Sequence, residues 1–530
     1  MTEEFDQVKR IVMVGGGTAG WLVAARLAAH YELSSETLTL TLVESDQTGP
    51  IGVGEGTWPS MRTTLNKIGI TETEFVRECG ASFKQGSKFI GWSRGAEDYY
   101  YHPFSLPQDH AEENAWWSWQ NSANNEPFAD SVSPQPAVCD RNLAPKQISM
   151  PNYAYALNYG YHLDAGRFAG LLMRHAVERL GVCHIKDHLI GVESDSDGDI
   201  AAVIGKNYGR IEGDLFIDCS GFESLLIGQH FGIGKVDCSK YLFNDRALAV
   251  QVPYATELDS ISSVTLGTAH DAGWTWDIGL QHRRGVGRVY SSSHQSDEQA
   301  LDGLKSYLKR EAPHVDFESL SPRKLSFESG YRSKFWHRNC VAIGLSAGFV
   351  EPLEASALVL VELSAQFLTD QLPAYRTGMD AVADRFNRQF TYRWTEIIRF
   401  LKLHYAISSR DDSAYWRQHK ESDSIPESLR SDLARWNYQA PWHHDEGRID
   451  DLFPSASYQY VLYGMGFQTR DPVLRSRSHA RRLTQYRERQ LRTQQAQARF
   501  CEHLPTNREL VRQLQSHSFS SVPHSAVERL

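Results

Sequence analysis

Near its start the chain reads Arg10-Ile-Val-Met-Val-Gly15-Gly-Gly17-Thr-Ala-Gly20-Trp-Leu-Val-Ala-Ala-Arg-Leu-Ala28, a short apolar segment followed by a glycine turn and an Ala-rich segment. This order predicts a β-strand, a tight turn and an α-helix. The glycine spacing is typical of a dinucleotide-binding turn, because glycines permit the tight turn, the approach of a pyrophosphate and the packing of helix on strand. We predict that Gly15, Gly17, Thr18, Ala19 and Gly20 bind this cofactor.

A second predicted strand, Leu38-Thr-Leu-Thr-Leu-Val43, follows the predicted helix. Glu44 stands at its end, where an acid accepts hydrogen bonds from a ribose. A Gly-x-Gly-x-x-Gly motif alone is a weak signal. Strand, turn, helix, strand and acid together favour an adenine dinucleotide over chance packing.

Two later segments, Asp214-Leu-Phe-Ile-Asp218-Cys-Ser-Gly221 and Asn339-Cys-Val-Ala-Ile-Gly344, predict strands that return to the cofactor. Such late strands favour FAD over NAD. We find no second glycine-rich fingerprint for NADPH, so we expect the reduced flavin to come from another protein. The glycine-rich stretch Gly49-Pro-Ile-Gly52-Val-Gly54-Glu-Gly56 predicts a mobile loop over the cofactor, with Gly54 among the cofactor-binding residues.

Composition excludes several classes of function. The chain has 530 residues, a formal net charge of -10 and a pI near 6.1, which argues against nucleic acid or an anionic membrane as the main partner. No apolar run is long enough to span a bilayer, and the first residues lack the basic start of a signal peptide, so we expect a cytoplasmic protein. The seven cysteines form no Cys-x-x-Cys pair, and we predict neither a disulfide framework nor a metal site.

The segment Gly344-Leu-Ser-Ala-Gly-Phe-Val-Glu-Pro-Leu-Glu-Ala-Ser-Ala-Leu358 predicts a strand end, a loop and a buried helix beyond Pro352. Free N–H groups at the start of that helix would form an anion pocket. Two carboxylates, Glu351 and Glu354, lie in it, and a carboxylate in an apolar setting is costly unless chemistry requires it. The alternative is that both are ordinary acids at a helix N-terminus.

Five segments spread over most of the chain resemble the flavin-dependent halogenases of the tryptophan halogenase family: Gly15 to Trp21, Phe83-Lys84, His102-Pro103-Phe104, Trp274-Thr-Trp276-Asp-Ile278 and Pro352-Leu-Glu354. The resemblance implies an α/β fold, flavin monooxygenase-like, with a two-part Rossmann FAD domain, an inserted substrate-side sheet and a mainly helical C-terminal lobe. It implies FADH2 supplied by a separate flavin reductase, which reacts with O₂ and with chloride or bromide. Hypohalous acid then moves through a tunnel to a lysine beside an electron-rich aromatic substrate.

Residue roles follow from the resemblance at the matching positions. Lys84 matches the lysine that donates a hydrogen bond to hypohalous acid or, as the free amine, captures the halogen. Glu354 matches the glutamate that polarises the oxidant or accepts the proton lost by the ring. The remaining matches are Ser356 and Ala357 for halide binding through backbone N–H groups, Leu345 and Pro352 for FAD, His102 and Phe104 for stacking on the substrate, and Trp274 and Trp276 for the tunnel.

Three of these residues, Lys84, Trp274 and Trp276, have a simpler alternative interpretation, and two positions depart from the family pattern. Lys84 alone reads as an exposed lysine, and the tryptophans read as strand residues on one core face. Gly279 stands where the family has proline, which puts the shape of that loop in doubt. Ala355 replaces a serine whose hydroxyl commonly supports the lysine.

The predicted domains are residues 1–380, an FAD-binding and halogenase core with an inserted sheet at about 239–334, and residues 381–530, a helical lobe. Ala247 to Val252 and Gly285 to Tyr290 predict strands in the insert, and Asp380 to Ser408 predicts a long helix. The Arg-rich tail from Arg470 to Arg492 predicts a solvated helix, with a partner surface as the alternative. A homodimer is one of the oligomeric states that the sequence leaves open.

Three functions compete: halogenation of an aromatic small molecule, flavin-dependent aromatic hydroxylation without halide, and cofactor binding without catalysis. The Lys84 and Glu354 pair favours the first. Family members that act on free tryptophan hold its amino acid group with adjacent tyrosines and a Phe-Trp pair, and residues 440–467 contain neither. We therefore expect an indole-like substrate to be preferred over free tryptophan.

Overall fold

A computed structural model describes residues 6–46, 54–95, 98–122, 126–445, 451–470 and 479–520. Residues 47–53, most of the predicted loop over the cofactor, lie outside this set. Two compact units are each assembled from three stretches of the chain. The first comprises Met1–Gly80, Leu163–Cys238 and Glu328–Trp394, and the second Ala81–His162, Ser239–Phe327 and Thr395–Leu530. The predicted division near residue 380 follows sequence order and stays a prediction.

The first unit contains a six-stranded sheet that confirms the predicted strands. Its strand order is Trp336–His337, Cys340–Ala342, Leu215–Asp218, Arg10–Val14, Thr39–Glu44 and Cys183–Lys186. All neighbours are parallel except the first pair. The two late strands thus lie beside Arg10–Val14, as the sequence predicts for a strand that returns to a cofactor. Because the carboxyl ends of parallel strands meet at one edge, the loops that follow them are neighbours.

Smaller elements complete the first unit. Two three-stranded antiparallel sheets contain Leu189–Ser194, Ile200–Gly205 and Gly209–Glu212, and Lys235–Asp237, Gly330–Arg332 and Gly348–Phe349. A short strand lies at Glu55–Gly56. The helices are Thr18–Ala28, Ser60–Ile68, Glu72–Glu78, Ala165–Glu178, the single-turn Leu225–His230 and Ser356–Gln371. The long predicted helix is confirmed as Arg376–Ala406, whose residues belong to both units.

The second unit contains a seven-stranded sheet. Its strand order is Arg323–Ser326, Arg246–Pro253, Arg283–Tyr290, Gly273–Gly279, Thr265–His270, Gly86–Ile90 and Tyr99–Pro103. The strands predicted in the insert are confirmed, and the last two strands come from a much earlier part of the chain. The helix Asp297–Glu311 packs Leu304, Tyr307 and Leu308 against Val250 and Val286 of this sheet. This packing forms one apolar core of the unit.

The second unit also contains eight further α-helices among the described residues. They are Trp116–Gln120, Phe128–Val132, Gln135–Asp140, Ala414–Gln418, Glu427–Trp436, Ser455–Gly464, His479–His503 and Asn507–Ser516. Residues 471–478 of the predicted Arg-rich tail lie outside the described residues, and the part of the tail that follows them belongs to the helix His479–His503. Two arginines of this helix have partners within the unit: Arg489 pairs with Glu113 at 2.6 Å and Arg492 with Asp109 at 2.6 Å. One face of the predicted solvated helix is therefore bound to the protein. Over the described part of the chain, every helix is too short or too polar to cross a bilayer.

Backbone contacts fix the first helix against the first strand. A Cβ on Gly20 would lie 2.0 Å from the carbonyl oxygen of Gly15, and a Cβ on Gly15 would lie 2.1 Å from that of Cys219. Gly15 also has a φ of +109°, which L-residues rarely adopt. Only glycine fits at these two positions, so the helix and two strands meet through their backbones.

We predict that Gly20→Ala destabilises the cofactor-free protein by about 1–3 kcal/mol, because the new methyl group would overlap a backbone carbonyl that cannot move alone. Gly17→Ser is the matched control. A Cβ at Gly17 would meet no atom within 4 Å, and serine is a favourable residue before a helix, so its effect should stay within about 0.5 kcal/mol. Calorimetric unfolding of both variants measures the difference. Equal stability of the Gly20 variant and the natural protein would contradict this account of the packing.

Candidate active site

Among the described residues, no atom lies within 4 Å of the place where a Cβ on Gly17 would stand. Gly17 precedes the helix Thr18–Ala28, has no side chain that could cap the helix N-terminus, and is exposed in the described part of the chain. Free N–H groups and open space at a helix start suit a pyrophosphate. Gly16, which the sequence analysis did not single out, has a different role: a Cβ there would lie 1.6 Å from Glu44 Oε2. The run of three consecutive glycines, Gly15 to Gly17, was the sequence signal for this close approach of Glu44 to Gly16.

Glu44 is the last residue of its strand, as predicted. Its Oε1 lies 2.7 Å from Nε2 of His184 on the neighbouring strand, and 23% of its side chain is exposed. The His184 ring in turn packs edge-on against Trp21, with centroids 4.9 Å apart. The carboxylate thus lies close to His184, without a hydrogen bond from that ring, and still has an accessible face for a ribose hydroxyl.

A second turn, Gly344–Ser346, follows the strand Cys340–Ala342 and lies against the glycine turn. Gly344 has a φ of +72°, and a Cβ there would lie 2.8 Å from the Cβ of Ala19. Ser346 is fully buried and contacts the backbone oxygens of Asp218 and Ile343. The structure therefore brings Ala19 close to the segment that contains Leu345, which is half-buried.

Gly54 opens the described segment 54–95, with a φ of +143°. The next residue, Glu55, is a carboxylate that sequence reasoning did not name. Burial, and then the charge of Asp164, raise the pKa of Glu55 to about 7. This segment therefore places a carboxyl group that is partly protonated at neutral pH beside Gly54.

Both candidate carboxylates of the first unit, Glu351 and Glu354, lie before the helix at whose N-terminus the alternative interpretation placed them. The helix begins at Ser356, its first turn contains no acidic residue, and Glu351 and Glu354 are 1% and 4% exposed. The interpretation as ordinary helix N-terminal acids therefore does not describe their positions. Sequence reasoning also missed a contact to this segment: Trp58 Nε1 donates a hydrogen bond of 2.7 Å to the backbone oxygen of Glu354.

The start of this helix has the features predicted for an anion site. Ala355, the residue before the helix, has a left-handed backbone with φ 53° and ψ 41°, and no side chain caps the helix. Among the described residues, no backbone or side-chain acceptor takes the N–H of Ser356 or Ala357. Two adjacent N–H groups without acceptors at a helix start attract an anion.

Lys84 lies in the second unit, at the end of the strand Ser82–Lys84, and is 1% exposed. This burial rules out the alternative of an exposed lysine. Its Nζ lies 5.4 Å from the centroid of the Phe104 ring, so the structure brings these two predicted site residues together. The neighbouring His162 pairs with Ser82 across the strands, and burial and then the charge of Lys84 hold the pKa of His162 well below its usual value. This histidine is therefore neutral at pH 7.

His102 is buried and its ring is held by other residues of the second unit. Nε2 lies 2.9 Å from Ser457 Oγ, and the ring centroid is 5.6 Å from that of Phe400 and 6.3 Å from that of Tyr460. The helix Ser455–Gly464 therefore fixes the orientation of His102. Phe104 is half-buried and has a more accessible ring.

Trp274 and Trp276 lie on one face of the strand Gly273–Gly279, with ring centroids 6.3 Å apart. Trp274 is buried, and Trp276 packs over Gly287, where a Cβ would lie 1.9 Å from Cζ2 of its ring. Their place on one strand face agrees with the simpler interpretation, and their tunnel role stays a prediction. Gly279 ends this strand, and its backbone oxygen accepts a hydrogen bond of 2.5 Å from Ser82 Oγ. The position that departs from the family pattern is thus tied to the strand of Lys84.

Comparison with known proteins identifies the family of this chain. The family model for tryptophan halogenases matches residues 10–479. The chain is 32% identical to tryptophan 7-halogenase KtzQ of Kutzneria sp. (strain 744), over 88% of this chain and 91% of that protein. A crystal structure of a tryptophan halogenase from Shewanella frigidimarina NCIMB 400 has 46% identity and a TM-score of 0.92, over 97% and 99% of the two chains. The flavin-dependent halogenase BrvH from Brevundimonas sp. BAL3 has 31% identity and a TM-score of 0.83, over 96% and 99%. Because the match extends over nearly the whole chain, the protein belongs to the tryptophan halogenase family of enzymes.

Proposed function

We propose that this enzyme uses FADH2, O₂ and chloride or bromide to halogenate an electron-rich, indole-like aromatic substrate through hypohalous acid. The observation that carries the proposal is a family match over residues 10–479 that includes Lys84 and Glu354, both buried. A buried lysine and a buried glutamate are costly to keep and are expected where chemistry needs them. The relatives described above are named as halogenases, which supports halogenation over hydroxylation without halide or cofactor binding without catalysis.

The first unit has residues that fit FAD. The space over Gly17 and the uncapped start of the first helix suit the pyrophosphate, and Glu44 suits a ribose. When bound, the reduced cofactor supplies the electrons with which O₂ and halide yield hypohalous acid. The chain shows one dinucleotide fingerprint, so we infer that a separate flavin reductase delivers FADH2.

We assign Lys84 and Glu354 different roles in the halogen transfer. Transfer from hypohalous acid forms a carbon–halogen bond, breaks the halogen–oxygen bond and releases hydroxide. The Lys84 ammonium donates a hydrogen bond to that oxygen and so assists its departure. Glu354 accepts the proton that the ring loses, and this proton and the hydroxide together make water. The N–H groups of Ser356 and Ala357 hold the halide before it reacts.

Halide dependence tests the function. The enzyme is given FADH2 from a reductase and indole, with and without bromide, and products are read by mass spectrometry. A brominated product that requires bromide supports halogenation. A hydroxylated product without halide would establish the hydroxylase instead, and oxidation of FADH2 without any aromatic product would leave a flavoprotein without this activity.

Structure in the second unit bears on the choice between indole and tryptophan. The hydroxyl groups of three tyrosines that could contact an amino acid group already have protein partners: Tyr458 with Arg399 at 2.8 Å, Tyr460 with the Ser105 oxygen at 3.0 Å, and Tyr463 with Thr469 at 3.2 Å. Residues 446–450 lie outside the described part of this segment. A zwitterion that finds few partners loses its hydration without compensation.

We predict that Lys84→Met reduces halogenated product by at least about a hundredfold, because the hydrogen bond to hypohalous acid is lost. FAD affinity and the rate of FADH2 oxidation should not change, since Lys84 belongs to the halogen-transfer step. Lys88→Met is the control: Lys88 lies two strand residues beyond Gly86 and pairs with Asp140 at 2.7 Å. Normal product yield from the Lys84 variant would remove the catalytic assignment.

Glu354→Gln should lower the turnover number by roughly two to four powers of ten, the range for the loss of a proton acceptor or a preorganised electrostatic contact. The matched control is Glu362→Gln in the helix Ser356–Gln371. Burial raises the pKa of Glu362 to about 7, and Ser60 and Thr64 donate to its carboxyl group. An amide can accept from one of these hydroxyls and donate to the other, so it should keep the link between the two helices and have little effect on turnover. A Glu354 variant whose activity stays within about threefold of the natural enzyme would show that Glu354 is structural.

We predict a higher kcat/KM for indole than for free tryptophan, because ring stacking on His102 and Phe104 is available to both while the amino acid group gains little. The two substrates compete in one vessel, and mass spectrometry measures the product ratio. A clear preference for tryptophan, with one regioisomer formed, would contradict the prediction and show that the helical part of the second unit binds the zwitterion.

A further inference from the structure

The peptide unit between Glu354 and Ala355 is held from both sides by hydrogen bonds within the first unit. Its oxygen accepts from Trp58 Nε1 at 2.7 Å, and its N–H donates to the backbone oxygen of Pro352 at 3.1 Å. The two bonds lie on opposite ends of one rigid plane. Rotation of this peptide would break both of them.

This peptide needs outside support because Ala355 has an unfavourable backbone. Its φ of +53° lies in the left-handed region, which costs an alanine about 1–2 kcal/mol relative to the right-handed region. Ala355 offers no side-chain oxygen that could bond locally and reduce this cost. Relaxation of Ala355 to a negative φ would rotate the Glu354–Ala355 peptide. The two hydrogen bonds of this peptide oppose that rotation.

The orientation of this peptide controls two predicted functional groups. A relaxation of φ at Ala355 alone would turn the chain before Ala355, and with it the Glu354 carboxylate, relative to the helix that follows. It would therefore change the placement of that carboxylate relative to the N–H groups of Ser356 and Ala357, which have no acceptor among the described residues. The orientation of this one peptide plane thus determines how the carboxylate predicted to accept the proton is placed relative to the N–H groups predicted to bind the halide.

The helix that follows Trp58 is bound to the helix Ser356–Gln371 by contacts of its own. The helix Ser60–Ile68 begins two residues later, and its Ser60 and Thr64 donate to Glu362 at 3.0 and 2.5 Å. These bonds connect the two helices about two turns beyond Glu354. A phenylalanine at position 58 would therefore keep an aromatic ring near this place, and it would remove the indole N–H together with the rest of the pyrrole ring; the control substitution at another tryptophan accounts for that loss of ring volume.

We propose that Trp58 is a positioning residue for halogen transfer: its N–H holds the Glu354–Ala355 peptide and so orients the Glu354 carboxylate and the N–H groups of Ser356 and Ala357. This inference rests on the function proposed above. A purely structural role for Trp58 would change stability and cofactor binding instead. The two roles therefore differ in the step that a substitution impairs.

Trp58→Phe tests the proposal in the full-length enzyme with FADH2, bromide and indole. The turnover number for brominated product should fall about tenfold, the effect of losing one partly buried hydrogen bond that positions a reacting group. The KM for indole, the Kd for FAD and the rate of FADH2 oxidation should stay within about twofold, because no contact to these ligands is altered. Trp336→Phe is the control, since it removes a comparable indole bond in the same unit, from Trp336 Nε1 to the Arg338 oxygen at 3.0 Å.

Two substitutions at Ala355 test the same peptide plane, the first in the presence of Trp58 and the second combined with Trp58→Phe. Ala355→Val should reproduce the lower turnover number, because a β-branched residue disfavours positive φ most strongly. Ala355→Gly combined with Trp58→Phe should recover part of the lost turnover, because glycine adopts this backbone at little cost. Ala355→Val also decides the question if the Trp58 variant does not fold.

Natural turnover in both Trp58→Phe and Ala355→Val would overturn the inference, and so would an equal loss in Trp336→Phe. The proposed function survives either result if Glu354→Gln is inactive. If the natural enzyme makes no brominated indole while it oxidises FADH2, the function itself fails. The two failures are therefore distinguished by the natural enzyme and the Glu354 variant alone.

Discussion

Contact between backbones at the glycine turn sets the geometry of the first unit. Gly20 lies against the Gly15 carbonyl, Gly15 against that of Cys219, and Gly344 against Ala19. Since a Cβ at Gly15 or Gly20 would overlap a carbonyl, no larger residue allows the first helix and the late strands to meet there. This contact brings the ends of parallel strands from three distant parts of the chain to one edge, which is where α/β sheets bind their ligands.

Local sequence patterns predicted the strands and helices of the fold. The burial and the contacts of the site residues depend on pairing between distant parts of the chain, which local patterns do not show. Apolar runs and glycine spacing were sufficient for Arg10–Val14, Thr39–Glu44 and the late strands. Burial of Lys84 was not predictable in the same way, because its strand pairs with Gly160–Leu163, far along the chain. Trp58 was missed for the same reason: its acceptor lies 296 residues away, and a sequence shows no sign of such a partner.

Three glutamates around one helix show why composition alone could not assign the site. Glu351, Glu354 and Glu362 are all buried, and each lies within or just before Ser356–Gln371. Glu362 receives two hydroxyl donors, and its pKa near 7 reduces the charge that must be buried. The structure therefore identifies Glu362 as a carboxyl group satisfied by packing. Glu354 instead lies at a strained turn whose backbone is held by Trp58, and strain of this kind is commonly kept at functional sites.

Replacement of the family serine by Ala355 has a consequence for anion binding as well as for the lysine. A serine before a helix can accept a hydrogen bond from an N–H group of the first turn. Ala355 has no such oxygen, and the N–H of Ala357 has no acceptor among the described residues. The helix start therefore keeps its donors for an external anion, while the stability that a capping serine would give is absent. We infer that the Trp58 hydrogen bond supports this uncapped start in place of a side-chain cap, so that the departure from the family pattern and the tryptophan belong to one arrangement.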